Sequence, residues 1–304
     1  MSANNGRFTE QAMHDVMRRM AVGLNVDASD AHLLHMANNA TFVLPSAGLV
    51  IRIIRSRTLL DRVHKVVELG GYFGQVGAPT IRLAEEIIQP VADGDALASV
   101  WQWVPPTDPT PDARDLGVAL RQFHALGLPP FSLLVWDPIG DAHRRISDAE
   151  ALDESDRDYL LAWCDRLQPQ LEAFAAGQPA GLVHGDAHQG NLLREQDGRI
   201  LLCDFDATCA GPWQVDLVPA PANEARFGPS GAHKQLASAY GYDITTDPAW
   251  PLLQEARELK MVVGGVPMLV SSPGAAAEFR LRLDSIRDKD YSVRWTAFSD
   301  LAGG

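Results

Sequence analysis

The spacing of hydrophobic residues changes early in the chain from a helical period to a strand period. Apolar residues recur at helical spacing over 9–24, which predicts an amphipathic helix. Two β-rich runs follow, 41–44 and 49–54, separated by the turn sequence Pro-Ser-Ala-Gly, and this pattern predicts a β-hairpin. Pairing the two runs symmetrically about the turn places Thr41 opposite Arg52.

The rest of the pattern divides the chain into a β-rich part and a helical part. Before residue 105 it predicts a helix over 58–69, ended by two glycines, and short strands near 80–83 and 98–104. A Pro-rich segment, 105–111, cannot be helical and predicts a boundary. Beyond it the spacing predicts helices over 112–126, 148–176, 231–240, 250–261 and 273–286, interrupted by one short β segment over 181–206. The chain is therefore predicted to have an α+β fold with a small β-rich N-lobe, 1–104, and a larger, mainly helical C-lobe, 105–304.

Composition narrows the classes of protein that the chain can belong to. Hydrophobic residues make up 46% of its 304 residues and charged residues 21%, which excludes a disordered, collagen-like or coiled-coil protein. The net charge is −13, so nucleic acid is not expected as a partner, because phosphate backbones require clustered cations. The same charge is compatible with a cationic substrate, although an acidic surface that favours solubility is the commoner reason for it.

Cysteine usage and the absence of targeting signals indicate the compartment. There are three cysteines and no C-x-x-C motif, so we expect neither a disulfide framework nor a zinc knuckle. The N-terminus lacks the apolar segment of a secretory signal, and the longest nearly apolar run, 261–270, is too short to span a bilayer. We therefore expect a cytoplasmic protein with no membrane partner. The sequence leaves its oligomeric state open.

Oxygen-bearing side chains converge around a second predicted hairpin. The runs 191–195 and 199–203 flank an Asp-Gly turn, and folding them together brings Asn191 close to Asp204. Asp186 lies on the loop that leads into the same end of this hairpin. Two carboxylates and one carboxamide provide hard oxygen ligands, which suit Mg²⁺ that is shared with phosphate oxygens.

Two histidines in the same stretch raise the alternative of a zinc site. His184 and His188 form an H-x-x-x-H pattern, which binds zinc when a helix aligns both rings on one face. Gly185 and Gly190 argue against a helix at this point. A zinc hydrolase therefore remains only a minor alternative.

The motif H-G-D-x-x-x-x-N, followed by D-F-D, resembles that of the aminoglycoside phosphotransferase and choline-kinase-like family, a branch of the protein-kinase-like fold. The resemblance implies that Asp186 is the catalytic base and that Asn191 and Asp204 bind the metal, with ATP and Mg²⁺ as cofactors. It also implies that His184 supports the catalytic loop, and that Asp206 replaces the glycine of D-F-G.

The resemblance extends to the N-lobe, where it implies the nucleotide contacts. The first hairpin, with Thr41 near its head, would cover the nucleotide. Arg52 stands where protein kinases carry a lysine, and Glu68 on the next helix would be its ion-pair partner. The adenine-contacting hinge would be formed by Gln102, Trp103 and Val104, together with Trp101. The tryptophans at 101 and 103 are equally well suited to a hydrophobic core.

The resemblance predicts an ATP- and Mg²⁺-dependent phosphotransferase that acts on a hydroxyl of a small molecule. An aminoglycoside or another antibiotic is one class of acceptor. The alternatives are a kinase of a metabolite, such as a sugar, an amino sugar, a choline-like alcohol or homoserine, and a pseudokinase that binds nucleotide without catalysis. The sequence leaves open whether GTP replaces ATP.

An acid-rich segment, 137–158, precedes the catalytic loop. Together with Glu255, Glu258 and Asp284 it could wall a pocket for a cationic acceptor. The commoner explanation for such a segment is a solvated helix N-terminus that is favoured by the helix dipole. Asp216, which follows the D-F-D motif, is expected to cap a helix in the C-lobe.

Overall fold

The computed structural model describes residues 8–36, 39–54, 60–149 and 151–301. Two compact units are formed, the first by Met1–Pro111 with Gly190–Ala207 and the second by Asp112–Gln189 with Thr208–Gly304. In chain order the elements are α1 (Glu10–Leu24), β1 (His32–Met36), β2 (Asn39–Leu44), β3 (Leu49–Ile54), α2 (Leu60–Gln75), β4 (Val91–Asp93), β5 (Ala96–Gln102), α3 (Ala113–His124), α4 (Pro138–Ser147), α5 (Glu154–Ala176), β6 (Gly181–Val183), β7 (Leu192–Arg194), β8 (Ile200–Leu202), β9 (Cys209–Gly211), α6 (Pro219–Phe227), α7 (Ala232–Tyr240), α8 (Trp250–Val263), α9 (Pro273–Arg287) and α10 (Phe298–Leu301). Within the described ranges, no helix has both the length and the apolar character needed to cross a membrane.

The first unit is built on a five-stranded antiparallel sheet in the order β1-β2-β3-β5-β4. Strands β2 and β3 form the predicted hairpin, with Thr41 paired to Arg52, so the predicted register is confirmed. The turn can close because Gly48 adopts a φ of +65°, which side-chain-bearing residues rarely adopt. Directly paired residues point to the same face of a sheet, so Thr41 and Arg52 share one face.

Helix α1 packs against this sheet and closes the core of the unit. Its N-terminus is capped by the Thr9 hydroxyl, which accepts a hydrogen bond from the amide of Ala12 at 3.2 Å. The buried face of the helix lies in one apolar cluster with the sheet. This cluster includes Met13, Met17, Met20, Phe42, Ile51, Ile53 and Val100.

Helix α2 differs from the sequence expectation at its C-terminal end. It was expected to end at Gly70, but it continues to Gln75. Gly70 is buried, and a Cβ atom at this position would lie 2.8 Å from Cγ of Leu83. The glycine therefore allows close packing inside the helix and does not end it. Residues 55–59, where this helix was expected to begin, lie outside the described ranges.

The second predicted hairpin, β7 and β8, groups with the first unit, although the sequence counted it with the C-lobe. The amide of Ile81 donates to the carbonyl of Leu202 at 3.0 Å and joins the hairpin to a segment next to the sheet. At the open end of the hairpin, the amide of Cys203 donates to the carbonyl of Asn191 at 2.9 Å. This bond confirms that positions 191 and 204 lie near one another.

The second unit is mainly helical, and its described residues include a two-stranded ladder between β6 and β9. The helix expected over 148–176 is α5, which begins only at Glu154, and a further helix, α4, precedes it and was not predicted. The sequence carried the signal for α4, because Asp137 precedes a proline and its carboxylate accepts a hydrogen bond from the amide of Gly140 at 2.7 Å. The short elements β1, β4 and α6 were also not predicted.

Candidate active site

Arg52 is the centre of the first charged cluster, which we call the Arg52 cluster (Arg52, Asp204 and Asp206). Its Nη2 atom donates to Oδ1 of Asp204 at 2.8 Å, and its Nη1 atom donates to Oδ1 of Asp206 at 3.1 Å. Only 16% of the Arg52 side chain is exposed. Burial alone would lower the pKa of Arg52, but the charges of Asp206 and Asp204 raise it above the usual value. The guanidinium is therefore a fixed positive charge.

The ion pair expected between Arg52 and Glu68 is not formed, and this expectation was wrong. Glu68 is exposed on α2, and within the described chain the ion pairs of Arg52 are with Asp204 and Asp206. Cations of α2 approach the cluster in its place. Nζ of Lys65 donates to the carbonyl of Asp206 at 2.7 Å.

Helix geometry explains why cations of α2, and not Glu68, approach the Arg52 cluster. Positions 62, 65 and 69 are three and four residues apart and share one face of α2, whereas position 68 lies to the side. Nη1 of Arg62 lies 3.8 Å from Oδ2 of Asp206, and Leu69 is fully buried. The buried apolar residue thus directs the two basic residues towards the D-F-D segment.

Asn191 and Asp204 are the two expected metal ligands, and both belong to the first unit. Asn191 is buried beside the start of β7, whereas the Asp204 side chain is 41% exposed. Asp204 has a φ of +65°, an unfavourable conformation for a residue with a Cβ atom. One carboxylate and one carboxamide provide hard oxygen donors, which fit Mg²⁺ that is completed by phosphate and water oxygens. In the described ranges, no three His, Cys, Asp or Glu side chains are grouped so that they could hold a metal by themselves.

The expected hinge residues follow directly after β5 or end it. Trp101 is buried in the core, where its ring lies 6.0 Å from that of Phe205. Gln102 is exposed, and its backbone amide donates to the carbonyl of Arg82 at 2.9 Å. The backbone amide of Trp103 donates to the carbonyl of Gly48 at 2.8 Å. Trp101 is therefore a core residue. The role of Gln102, Trp103 and Val104 in binding adenine stays a prediction, as does that of Thr41.

The loop of the second unit that carries Asp186 is held by a buried carboxylate. Asp216 accepts hydrogen bonds from the amides of His184 at 2.6 Å and Gly185 at 2.8 Å. It does not cap a helix, as had been expected, because it stands at the end of a 3-10 turn and points at this loop. Gly185 has a φ of +80°, which explains why glycine stands immediately before Asp186.

A chain of side chains completes the support of Asp216. Nε2 of His124 lies 3.0 Å from Asp216, and Nδ1 of the same ring lies 2.9 Å from the hydroxyl of Tyr240. An ionised carboxylate can only accept, so Nε2 carries the proton and the Tyr240 hydroxyl donates to Nδ1. Burial opposes ionisation of Asp216, but the hydrogen bonds that it accepts from the His124 ring and from the backbone amide of His184 lower the pKa of Asp216 below its usual value. Burial raises the pKa of Tyr240 to about 12.

Asp186 lies beside two cations that sequence reasoning missed. Nζ of Lys260 donates to Oδ1 of Asp186 at 3.1 Å and to the carbonyl of Gly185 at 3.3 Å. Burial would raise the pKa of Asp186, but the charges of Lys260, Arg257 and His188 lower it. The carboxylate is consequently ionised at neutral pH. No local motif marks Lys260 or Arg257, because they are far from the loop in sequence.

Burial keeps two of the cysteines unreactive. Burial raises the pKa of Cys203 to about 12 and that of Cys164 to about 11, so both thiols are protonated at neutral pH. Cys209 is buried in β9.

Three comparisons relate the chain to known proteins. The model of the phosphotransferase enzyme family (APH) matches residues 35–255. No curated protein sequence matches significantly. Among solved structures, the GDP and kanamycin complex of APH(2″)-IIia is 16% identical with a TM-score of 0.63, over 91% of this chain and 99% of that chain.

Two further solved structures lie close in fold. The choline kinase LicA from Streptococcus pneumoniae is 13% identical with a TM-score of 0.59, over 91% of this chain and 92% of that chain. The spectinomycin phosphotransferase APH(9)-Ia, in complex with ADP and spectinomycin, is 14% identical with a TM-score of 0.52, over 85% of this chain and 88% of that chain. At these identities the similarity shows the fold, and it confirms the expected α+β, protein-kinase-like class.

Proposed function

The chain belongs to the phosphotransferase enzyme family, and we propose that it transfers the γ-phosphate of ATP, with Mg²⁺, to a hydroxyl group of a small molecule. The observation that carries this proposal is the state of Asp186. This carboxylate is held ionised by Lys260, on a loop whose backbone amides are bonded to the buried Asp216. Such a loop provides a fixed proton acceptor, which a transfer to a hydroxyl requires.

In the proposed reaction, Asp186 accepts the proton of the acceptor hydroxyl as the oxygen of that hydroxyl forms a bond to the γ-phosphorus. The bond between the γ-phosphorus and its bridging oxygen breaks, and ADP leaves with the bridging oxygen. A carboxylate with a lowered pKa is a weak base, so it takes the proton late, as suits a loose transition state. Its main contribution is therefore to orient the hydroxyl.

The first unit supplies the groups proposed to hold the phosphates. Asn191 and Asp204 would bind Mg²⁺, which neutralises phosphate charge when it is bound. Arg52 would contact the phosphates as a planar guanidinium, with a geometry different from that of a lysine. It holds Asp204 at 2.8 Å, which orients one of the two metal ligands.

Two matched substitutions separate binding from chemistry. Asp186→Asn should lower kcat by about 100-fold or more, because the proton acceptor is lost, while the Kd for Mg-ATP stays unchanged. Asp204→Asn should raise the Kd for Mg-ATP and abolish its dependence on Mg²⁺. The measurements are ADP release with a panel of hydroxyl acceptors, and calorimetric titration with ATP and with GTP, since the similar solved structures include GDP and ADP complexes.

Asp197→Asn is the control, because Asp197 lies exposed in the β-turn of the same hairpin and should leave both quantities unchanged. Full activity of Asp186→Asn would refute the assignment of the base. Mg-ATP binding without any turnover across the panel would support a nucleotide-binding protein without catalysis.

A further inference from the structure

A cavity in the second unit lies next to the catalytic loop. Gly185 lines it, together with Trp136 and one face of α8. Within the described part of the chain, the charged residues in its lining are Arg257 and Lys260, and no acidic residue lines it. Its remaining walls are apolar, with Val215, Val218 and Leu253 among them. The cavity is thus a small apolar space with two cations.

The sequence of α8 determines which of its charges face the cavity. Leu253, Ala256, Arg257 and Lys260 follow the spacing i, i+3, i+4 and i+7, which places them on one face of a helix. Positions 255 and 258 fall on the opposite side at about 100° per residue. The acids of this helix therefore point away from the cavity that its cations line.

Arg257 has polar groups that the described chain does not use. It makes no hydrogen bond and no ion pair with any described residue, and its Nε atom is buried without a partner. Burial lowers the pKa of Arg257, which the charge of Asp186 offsets only in part. An unpartnered buried donor costs free energy, and a bound oxyanion would supply the missing acceptor.

Four of the acids that might have attracted a cationic acceptor are engaged elsewhere in the second unit. Asp156 lies 2.8 Å from Arg287, and Glu258 accepts a hydrogen bond from the buried Arg226 at 2.8 Å. Glu255 is bonded to Trp163 and Arg166. Asp141, which lies near enough to Lys260 to be influenced by its charge, pairs with Arg145 at 3.0 Å.

We infer that the acceptor carries an oxyanion group, a carboxylate or a phosphate, which binds in this cavity to Arg257 and Lys260. This inference rests on the proposed function, because it places the reacting hydroxyl at Asp186, which Lys260 contacts at 3.1 Å. The acceptor class is then hydroxy acids, sugar acids or phosphorylated alcohols. Polycations such as aminoglycosides are disfavoured, since their amino groups would meet two positive charges.

The first test is an acceptor panel with matched charge, assayed by ADP release with Mg-ATP. One series is glucose, glucosamine, glucuronate and glucose 6-phosphate, and the other is glycerol, ethanolamine, glycerate and glycerol 3-phosphate. We expect turnover of the carboxylate or phosphate members and none of the cationic ones. The two anionic members of each series distinguish a carboxylate site from a phosphate site. Preference for a neutral or cationic member would overturn the inference and leave the proposed function intact.

Substitution of Arg257 tests its role in binding. For an anionic acceptor, Arg257→Gln should raise KM by about tenfold or more with the KM for ATP unchanged, and Arg257→Lys should restore part of the loss. Arg280→Gln is the matched control, because Arg280 is exposed on α9 and the substitution makes the same change in charge. A fall in kcat alone, with an unchanged acceptor KM, would mean that Arg257 only tunes Asp186, and the inference would be wrong.

A measurement without turnover decides the inference if no member of the panel is phosphorylated. Trp136 lines the cavity, so the fluorescence difference between the wild type and Trp136→Phe isolates its signal. Iodide should quench this signal at least about twofold more strongly than caesium, although the chain has a net charge of −13, and Arg257→Gln should remove the preference. Equal quenching by the two ions would refute a cationic cavity. Mg-ATP binding, measured separately, reports on the proposed function.

Discussion

The Arg52 cluster of the first unit and the surroundings of Asp186 in the second unit both combine aspartates with cations, but in opposite proportions. In the first, one guanidinium is bonded to two carboxylates, Asp204 and Asp206. In the second, one carboxylate, Asp186, faces Lys260 and Arg257, and Lys260 bonds to it. Paired charges stabilise the fold, whereas an unpaired buried charge costs stability and indicates a place for a ligand.

The second unit contains one charged side chain with several hydrogen bonds and another with none in the described chain. Asp216 is 1% exposed and accepts three hydrogen bonds, two of them from the backbone of the catalytic loop. Arg257 lies on α8 and makes none within the described chain. We therefore expect substitutions at these positions and at Arg52 to differ in sign as well as in size.

The largest expected effect is that of Asp216→Ala. Three donors would lose their acceptor, so the free energy of unfolding should fall by about 3–5 kcal/mol, measured by urea denaturation at pH 7. The pKa of Asp216 is lowered in the folded protein, so its contribution is present above its reference pKa of 3.8 and is lost as the pH falls below that value. The difference between wild type and variant should therefore shrink in acid. A loss no larger than that of Asp197→Ala, a substitution at an exposed turn, would show that Asp216 does not anchor the loop.

The next effect is that of Arg52→Met in the first unit. Removing the guanidinium takes the bonded cation from Asp204 and leaves Asp206 with the more distant Arg62, at 3.8 Å, so we expect a loss of about 2 kcal/mol in the free energy of unfolding. Mg²⁺ should then raise the Tm of the variant more than that of the wild type, because the freed carboxylate attracts a cation. Arg199→Met is the control, since the Arg199 side chain is exposed and the loss of its surface ion pairs should leave the free energy of unfolding nearly unchanged. Equal losses of unfolding free energy in Arg52→Met and Arg199→Met would contradict the role of Arg52 as a cation shared by Asp204 and Asp206.

The smallest expected effect is that of Arg257→Met, which should stabilise the protein whereas the other two substitutions destabilise it. Arg257→Met removes a half-buried guanidinium whose buried Nε has no hydrogen-bond partner in the described chain, so the free energy of unfolding should rise by about 1 kcal/mol. Scanning calorimetry would measure this as a higher Tm, with Arg280→Met as the exposed control. A destabilised Arg257→Met variant would mean that this arginine supports the fold, and the contrast with Arg52 would be lost.

Local chemistry allowed a large part of the fold to be predicted. The register of β2 and β3 followed from the turn between them, and the end of the β7–β8 hairpin followed from its Asp-Gly turn, because short loops determine strand pairing. The caps of α1 and α3 stand where the sequence placed their N-termini. The assignment of catalytic and metal-binding roles to Asp186, Asn191 and Asp204 depends on a motif, and it stays a prediction until it is tested.

The errors came from contacts between distant parts of the chain. Glu68 was expected to pair with Arg52 by analogy, but the orientation of α2 is determined by its buried face, which brings Lys65 and Arg62 to Asp206. Asp216 was expected to cap a helix, and only the folded loop shows that it accepts the amides of His184 and Gly185.

The sequence by itself determined the elements whose signals lie within a few residues: the amphipathic helices, the two hairpins and the loop that carries Asp186. Tertiary structure alone decided which charges surround Asp186 and Arg52. Lys260 reaches Asp186 because α8 buries its apolar face, which places Lys260 beside the loop that carries Asp186. Helix and hairpin formation depends on local backbone geometry, whereas the environment of a charge depends on which distant surfaces pack together, and that information is spread over the whole chain.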